Sequence, residues 1–104
     1  MALRAKFSEV VTVADAAIGI TSTNLVDSSG RWLDVHMAVF QHYSGGEIHV
    51  NAANTPVAGA GDDMSRILGD EWEVWGADDL QNFNMIRVSA NTVTTTVVVQ
   101  GYGV

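Results

Sequence analysis

The chain has 104 residues and a net charge of −7, enough length for one domain and too little for a second independent core. Its five basic residues, Arg4, Lys6, Arg31, Arg66 and Arg87, are scattered, which argues against the clustered cationic face that nucleic acid requires. With no cysteine there is no disulfide framework, thiolate zinc site or cysteine nucleophile.

Charged residues are only 16% of the chain and hydrophobic ones 47%, against a usual charged share of about a quarter. The surface is therefore neutral, built from Thr, Ser, Asn, Gln and Ala. That composition suits a chain packed against copies of itself or a larger assembly, and equally a plain small β domain. The acidic balance favours solubility and repulsion between unassembled copies, or docking onto a basic surface. The N-terminus lacks the apolar stretch of a signal sequence, and no window approaches the roughly 20 apolar residues of a membrane helix. A soluble protein made in the cytosol of its producer, with no membrane partner, is the expectation.

In chain order, Phe7 to Val13 alternates as a first strand with both faces partly covered. Ala17 to Thr21 follows as a second strand or a bulge, since an isolated glycine inside a strand marks a bulge or a close backbone approach. Asn24 to Arg31, with Asp27-Ser28-Ser29-Gly30, reads as an exposed loop. Trp32 to His42 has the most regular two-residue period, setting Leu33, Val35, Met37 and Val39 against Asp34, His36, Ala38 and Phe40, and is the best central strand. Tyr43 to Asn51 then reads as the turn and return strand of a hairpin around Ser44-Gly45-Gly46.

Ala52 to Asp63 has no hydrophobic period and is the longest expected loop. Met64 to Leu68 is read as a strand, Glu71 to Gly76 as another with Trp72 inside and Trp75 outside, and Gly76 to Leu80 as an exposed connection. Phe83 to Ser89 and Thr92 to Gln100 complete the set, joined by a tight turn at Ala90-Asn91. Strand after strand with no helical spacer predicts an all-β fold: a single antiparallel β-sandwich over residues 1–104, jelly-roll or immunoglobulin-like, of about eight or nine short strands.

The chemical motifs are weak. His42 and His49 flank the expected hairpin turn with Glu47 nearby, and His36 completes the imidazoles, but no metal-motif spacing is present. Outward sheet side chains are the reading taken for them, and no metal or cofactor is predicted. The acid pairs Asp62-Asp63, Asp70-Glu71 and Asp78-Asp79 lie in turns, where carboxylates cap backbone donors; none follows a calcium loop. No serine has the glycines of a nucleophile elbow and no phosphate-binding glycine loop follows a strand, so no enzyme is expected. Trp75, with Trp32 or Tyr43, offers a stacking platform for sugars, although packing accounts for the tryptophans as well.

Several segments together resemble the small structural proteins of tailed-bacteriophage virions. They are Val10-Val11-Thr12-Val13, Ala17 to Ser22, the Gly-Gly turn leading to Ile48-His49-Val50, and Asn54-Thr55-Pro56-Val57. Leu68-Gly69-Asp70-Glu71-Trp72, Phe83 to Ala90, and Val97 to Gly103 extend the likeness over most of the chain. The resemblance implies a non-enzymatic β-sandwich subunit that coats or joins parts of a particle. The leading expectation is a capsid decoration or cement protein on the virion surface, binding the major capsid protein or other virion subunits, and itself a homo-oligomer. A head-to-tail, tail or fibre subunit, or a carbohydrate-binding module, are the alternatives. Residues 1–6 and 100–104 read as extended arms for reaching a neighbour. Leu3, Arg4, Lys6, Trp75 and Tyr102 are the candidate partner-contact residues.

Overall fold

The computed structural model describes residues 2–59, 63–88 and 93–104. Within them, seven strands form: β1 (Arg4–Val13), β2 (Val35–Ser44), β3 (Ile48–Asn51), β4 (Met64–Arg66), β5 (Glu71–Trp75), β6 (Asn84–Arg87) and β7 (Thr95–Gly103). One short helix, α1 (Ala77–Asn82), lies between β5 and β6. The strands make two antiparallel sheets, one ordered β1-β7-β2-β5 and the other β4-β3-β6. This is the all-β sandwich that the succession of Val-, Ile- and Thr-rich runs predicts.

Period-two alternation supplies the core. From the four-stranded sheet Val11, Val13, Phe40, Trp72, Val74, Val97 and Val99 turn inward, and Ile48, Val50 and Met85 meet them from the three-stranded sheet. At the centre Phe40 stacks on Trp72 with ring centroids 5.4 Å apart and meets Phe83 at 4.7 Å in a tilted arrangement. The Arg66 guanidinium lies over the Trp72 ring, 5.0 Å from its centroid, so a cation–π contact helps close the open side of the sandwich.

Several expectations need correction. Tyr43 to Asn51 is not a hairpin, because β2 pairs with β5 and β7 whereas β3 pairs with β4 and β6 in the other sheet. The segment carries the chain across the sandwich. Gly45, at φ 100°, makes the turn tight against Thr95, and the carbonyl of Gly46 accepts hydrogen bonds from His42 Nε2 at 2.6 Å and from Thr95 Oγ1 at 3.0 Å. Buried His42 thus pins the crossing instead of projecting outward.

Ala17 to Thr21 contributes a single bridge, Ile18 to Met85, in place of a full strand. The long alternating run begins as a strand only at Val35, because Asp34 takes a left-handed conformation, φ 58°, that interrupts it. Asn24 to Arg31 is a loop, held by Asp27, whose carboxylate accepts from the Ser29 and Arg31 amides at 2.9 Å each; its Leu25 is nevertheless in the core. Gly76 to Asp79 is exposed as expected, but α1 forms there where no helix was expected, and it drives Leu80 into the core at 1% exposure. The supposed arms are the two ends of one strand pair, with Arg4 opposite Gly103 and Ala5 opposite Tyr102. The expected turn at Ala90-Asn91 and the start of the last run lie outside the described residues.

Candidate functional site

The two faces of the four-stranded sheet divide by parity. Phe40, His42, Trp72, Val74, Val97 and Val99 point into the core, so the residues between them form the outer face. Across that face the register aligns Val10, Val98, Gln41 and Glu71 in one row, and Ser8, Gln100, Val39 and Glu73 in the next. A third row holds Ala5, Tyr102, Met37 and Trp75. Among the described residues these rows are largely open, although Met37 is buried at 6% exposure.

The apolar side chains there are Val10, 65% exposed, Trp75, 55% exposed, and the partly covered Val39, Val98 and Tyr102. Between them lies a shallow depression of about 200 Å³ lined by Val39, Gln41, Glu71, Val98, Gln100 and Tyr102. The polar groups on the face are tied to one another: the Tyr102 hydroxyl donates to Gln100 Oε1 at 2.8 Å and Trp75 Nε1 to Glu73 Oε1 at 3.0 Å. Such a face offers area, shape and a few fixed hydrogen-bonding groups. It offers no nucleophile with a base beside it.

The five residues expected to contact a partner gather at one end of this sheet. Tyr102 and Trp75 stand in one row on either side of Met37, and Arg4 pairs in register near the same end. Lys6 reaches the carbonyl of Val104 at 3.0 Å, and Leu3 is exposed just before β1. What the sequence reading missed is the middle of the face, Val10, Val39 and Val98. Their common parity was visible, but only the pairing of β2 with β7 puts them side by side.

The histidines do not assemble. His42 is buried on the Gly46 carbonyl, while His49, in the other sheet, donates from Nδ1 to the Val57 carbonyl at 2.8 Å. Glu47 takes the Ser65 hydroxyl. Among the described residues no group of three or more His, Asp or Glu side chains is placed to hold a metal ion. The acid Asp63 closes the base of the long loop: its carboxylate accepts from the Val57 amide and from Asn51 Nδ2, each at 2.9 Å. Those donors, with His49 adding a smaller charge effect, hold the Asp63 carboxyl below its ordinary range. Asp27 is lowered likewise, first by the Ser29 hydroxyl and then by the Arg31 amide. Both are carboxylates that fasten loops.

Among the described residues no helix is long and apolar enough to cross a membrane. The chain matches no protein-family model, no curated protein and no solved structure.

Proposed function

We propose that this protein is a non-enzymatic structural subunit of a bacteriophage particle, a decoration or cement protein that binds the major capsid shell and stabilises it. The observation that carries the reading is the outer face of the four-stranded sheet, largely open among the described residues, on which Val10, Val39, Val98, Tyr102 and Trp75 are interleaved with neutral Ser8, Gln41 and Gln100. Interface centres are depleted in charge and enriched in aromatic residues, and this face has that make-up with its two glutamates confined to the β5 margin. The resemblance of the strand and turn segments to virion proteins supplies the kind of partner.

Mechanically, a rigid slab suits the role. Its ends are fastened to each other through β1 and β7, so a load applied at the face is carried by a continuous hydrogen-bonded sheet and not by loose termini. Interfaces of standard size bury roughly 1,600 Å² in total, and many copies of even a smaller contact would add up over a shell. The face keeps its own acids, Glu71 and Glu73, at the β5 margin, which leaves that margin free to meet basic ground on the shell.

The test is co-sedimentation of the purified chain with decoration-free shells from its own source, scored by bound copies per shell and by survival of the shells on heating. Saturable binding at an icosahedral multiple, with survival to higher temperature, is the expected result. Absence of binding to shells would overturn the decoration reading, and binding to isolated tails or to immobilised glycans in its place would identify the occupant of the face.

A further inference from the structure

The strand edges of the two sheets differ in how they are protected. β4 and β6 are three and four residues long, and the outer side of β6 is covered by the segment after β1, with Arg87 N donating to the Ala14 carbonyl at 2.9 Å. β5 has five residues, carries Glu71 and Glu73, and runs directly towards α1. Brevity, charge and cover are the devices that keep edges from pairing.

β1 is neither short nor, among the described residues, covered by other backbone, and its basic residues, Arg4 and Lys6, stand at one end, beside an irregular step in its pairing between Ala5 and Phe7. It is ten residues long, contains no proline, and its backbone pairs with β7 alone among the described residues. Its one acid is already engaged: Glu9 Oε1 accepts from the Thr21 amide at 3.0 Å and Asn24 Nδ2 at 2.9 Å, and Oε2 from the Thr21 hydroxyl at 2.7 Å. Charge is also distributed along the strand in a self-complementary way. Arg4 and Lys6 stand at its start and the exposed Asp15 just past its end.

We propose that β1 pairs antiparallel with β1 of a second copy, joining two four-stranded sheets into one continuous sheet with a single extended outer face. Residues opposed across an antiparallel pair share a face, so the twofold axis of such a pair passes through a residue position. An axis at Glu9 would oppose two carboxylates. At Val10 it opposes two exposed valines, sets Ser8 against Thr12 and Glu9 against Val11, and carries Asp15 of each copy, past the end of its strand, to the level of Ala5 of the other, between Arg4 and Lys6. The edge bonds are then made while opposite charges lie near one another at both ends. The inference concerns the chain alone and holds whatever the outer face docks onto.

The test is sedimentation equilibrium of the full chain from micromolar to millimolar concentration, for wild type, V10E, V10K and an equimolar mixture of the two variants. Because Val10 is exposed, each variant keeps the wild-type thermal midpoint, which is read in parallel. The wild type should rise with concentration from 11.1 kDa towards twice that mass. V10E and V10K alone should dimerise at least about tenfold more weakly, since like charges meet at the axis, and mixing them should restore association. Three results would overturn the proposal: a wild type that stays at the monomer mass throughout, a V10E variant that associates as tightly as wild type, or a mixture no tighter than its components.

Discussion

Phe7 and Gly101 face each other across the β1–β7 pair, and a Cβ added at Gly101 would collide with the Phe7 ring. The glycine is there to make room for an aromatic ring on the neighbouring strand, an arrangement that shields a bare stretch of sheet. Gly101→Ala is expected to destabilise the protein by roughly 1–3 kcal/mol through overpacking, read as a lower urea midpoint at unchanged slope. Adding Phe7→Ala to it should recover part of that loss, because the two changes share one space. At the same scale, Asp63 sets a pH dependence. Its folded pKa lies below its unfolded value of about 3.8, so the stability it contributes is complete above that value and is lost as pH falls through the lowered one. Amide protection at Val57 should therefore hold steady from pH 7 down to about pH 4 and be lost only as pH falls further, below the ordinary carboxylate value. In Asp63→Asn that acid-dependent step should vanish.

At the scale of elements, what the sequence reveals is which way a residue faces within a strand, far better than which strand lies beside it. Trp72 inside and Trp75 outside follow from alternation, and both stand so. The partner of β3 does not follow, because Gly45-Gly46 permits a hairpin and a crossing equally well; the choice is made by Ile48 and Val50, whose apolar faces meet Phe40 across the core instead of beside it. The ends of the chain misled for a similar reason. Gly101 and Gly103 occupy inward positions of β7, where the Phe7 ring and the Asp34 carbonyl take the place of their side chains, so the apolar period dies out while the strand continues. The helix α1 was hidden by its brevity: six residues are too few for a helical period, and Asp78 and Asp79 resemble turn formers although acids in a first turn also suit a helix N-terminus. Its one anchor is Leu80. Leu80→Ala should cost about 2–5 kcal/mol in urea unfolding, far more than an exposed leucine would, whereas Asp78→Ala should change stability by less than about 1 kcal/mol.

Taken as a whole molecule, the protein is a slab of 42 × 24 × 21 Å with one face of the larger sheet covered by the second layer and the opposite face largely open among the described residues. The fold class was legible in composition and alternation. The face was legible only in part, since Trp75 and Tyr102 stand out singly while Val10, Val39 and Val98 become a surface only through the register of β1, β7 and β2. Exposed apolar residues also occur elsewhere, notably Ile67 and Leu68 in the turn between β4 and β5, where His42 N donates to the Asp70 carbonyl at 2.9 Å. That turn is a connection and no part of the flat sheet, and so provides an internal control.

The central claim is that the protein works by contact through the outer face of the four-stranded sheet. Its most direct test is the affinity of wild type, Val98→Lys and Leu68→Ser for decoration-free shells, each variant first matched to wild type by circular dichroism. The account predicts at least about a tenfold weakening for Val98→Lys, with a charge desolvated at the centre of the contact, and wild-type binding for Leu68→Ser. Undiminished binding by Val98→Lys, with loss in Leu68→Ser, would contradict it and move the contact to the β4–β5 turn.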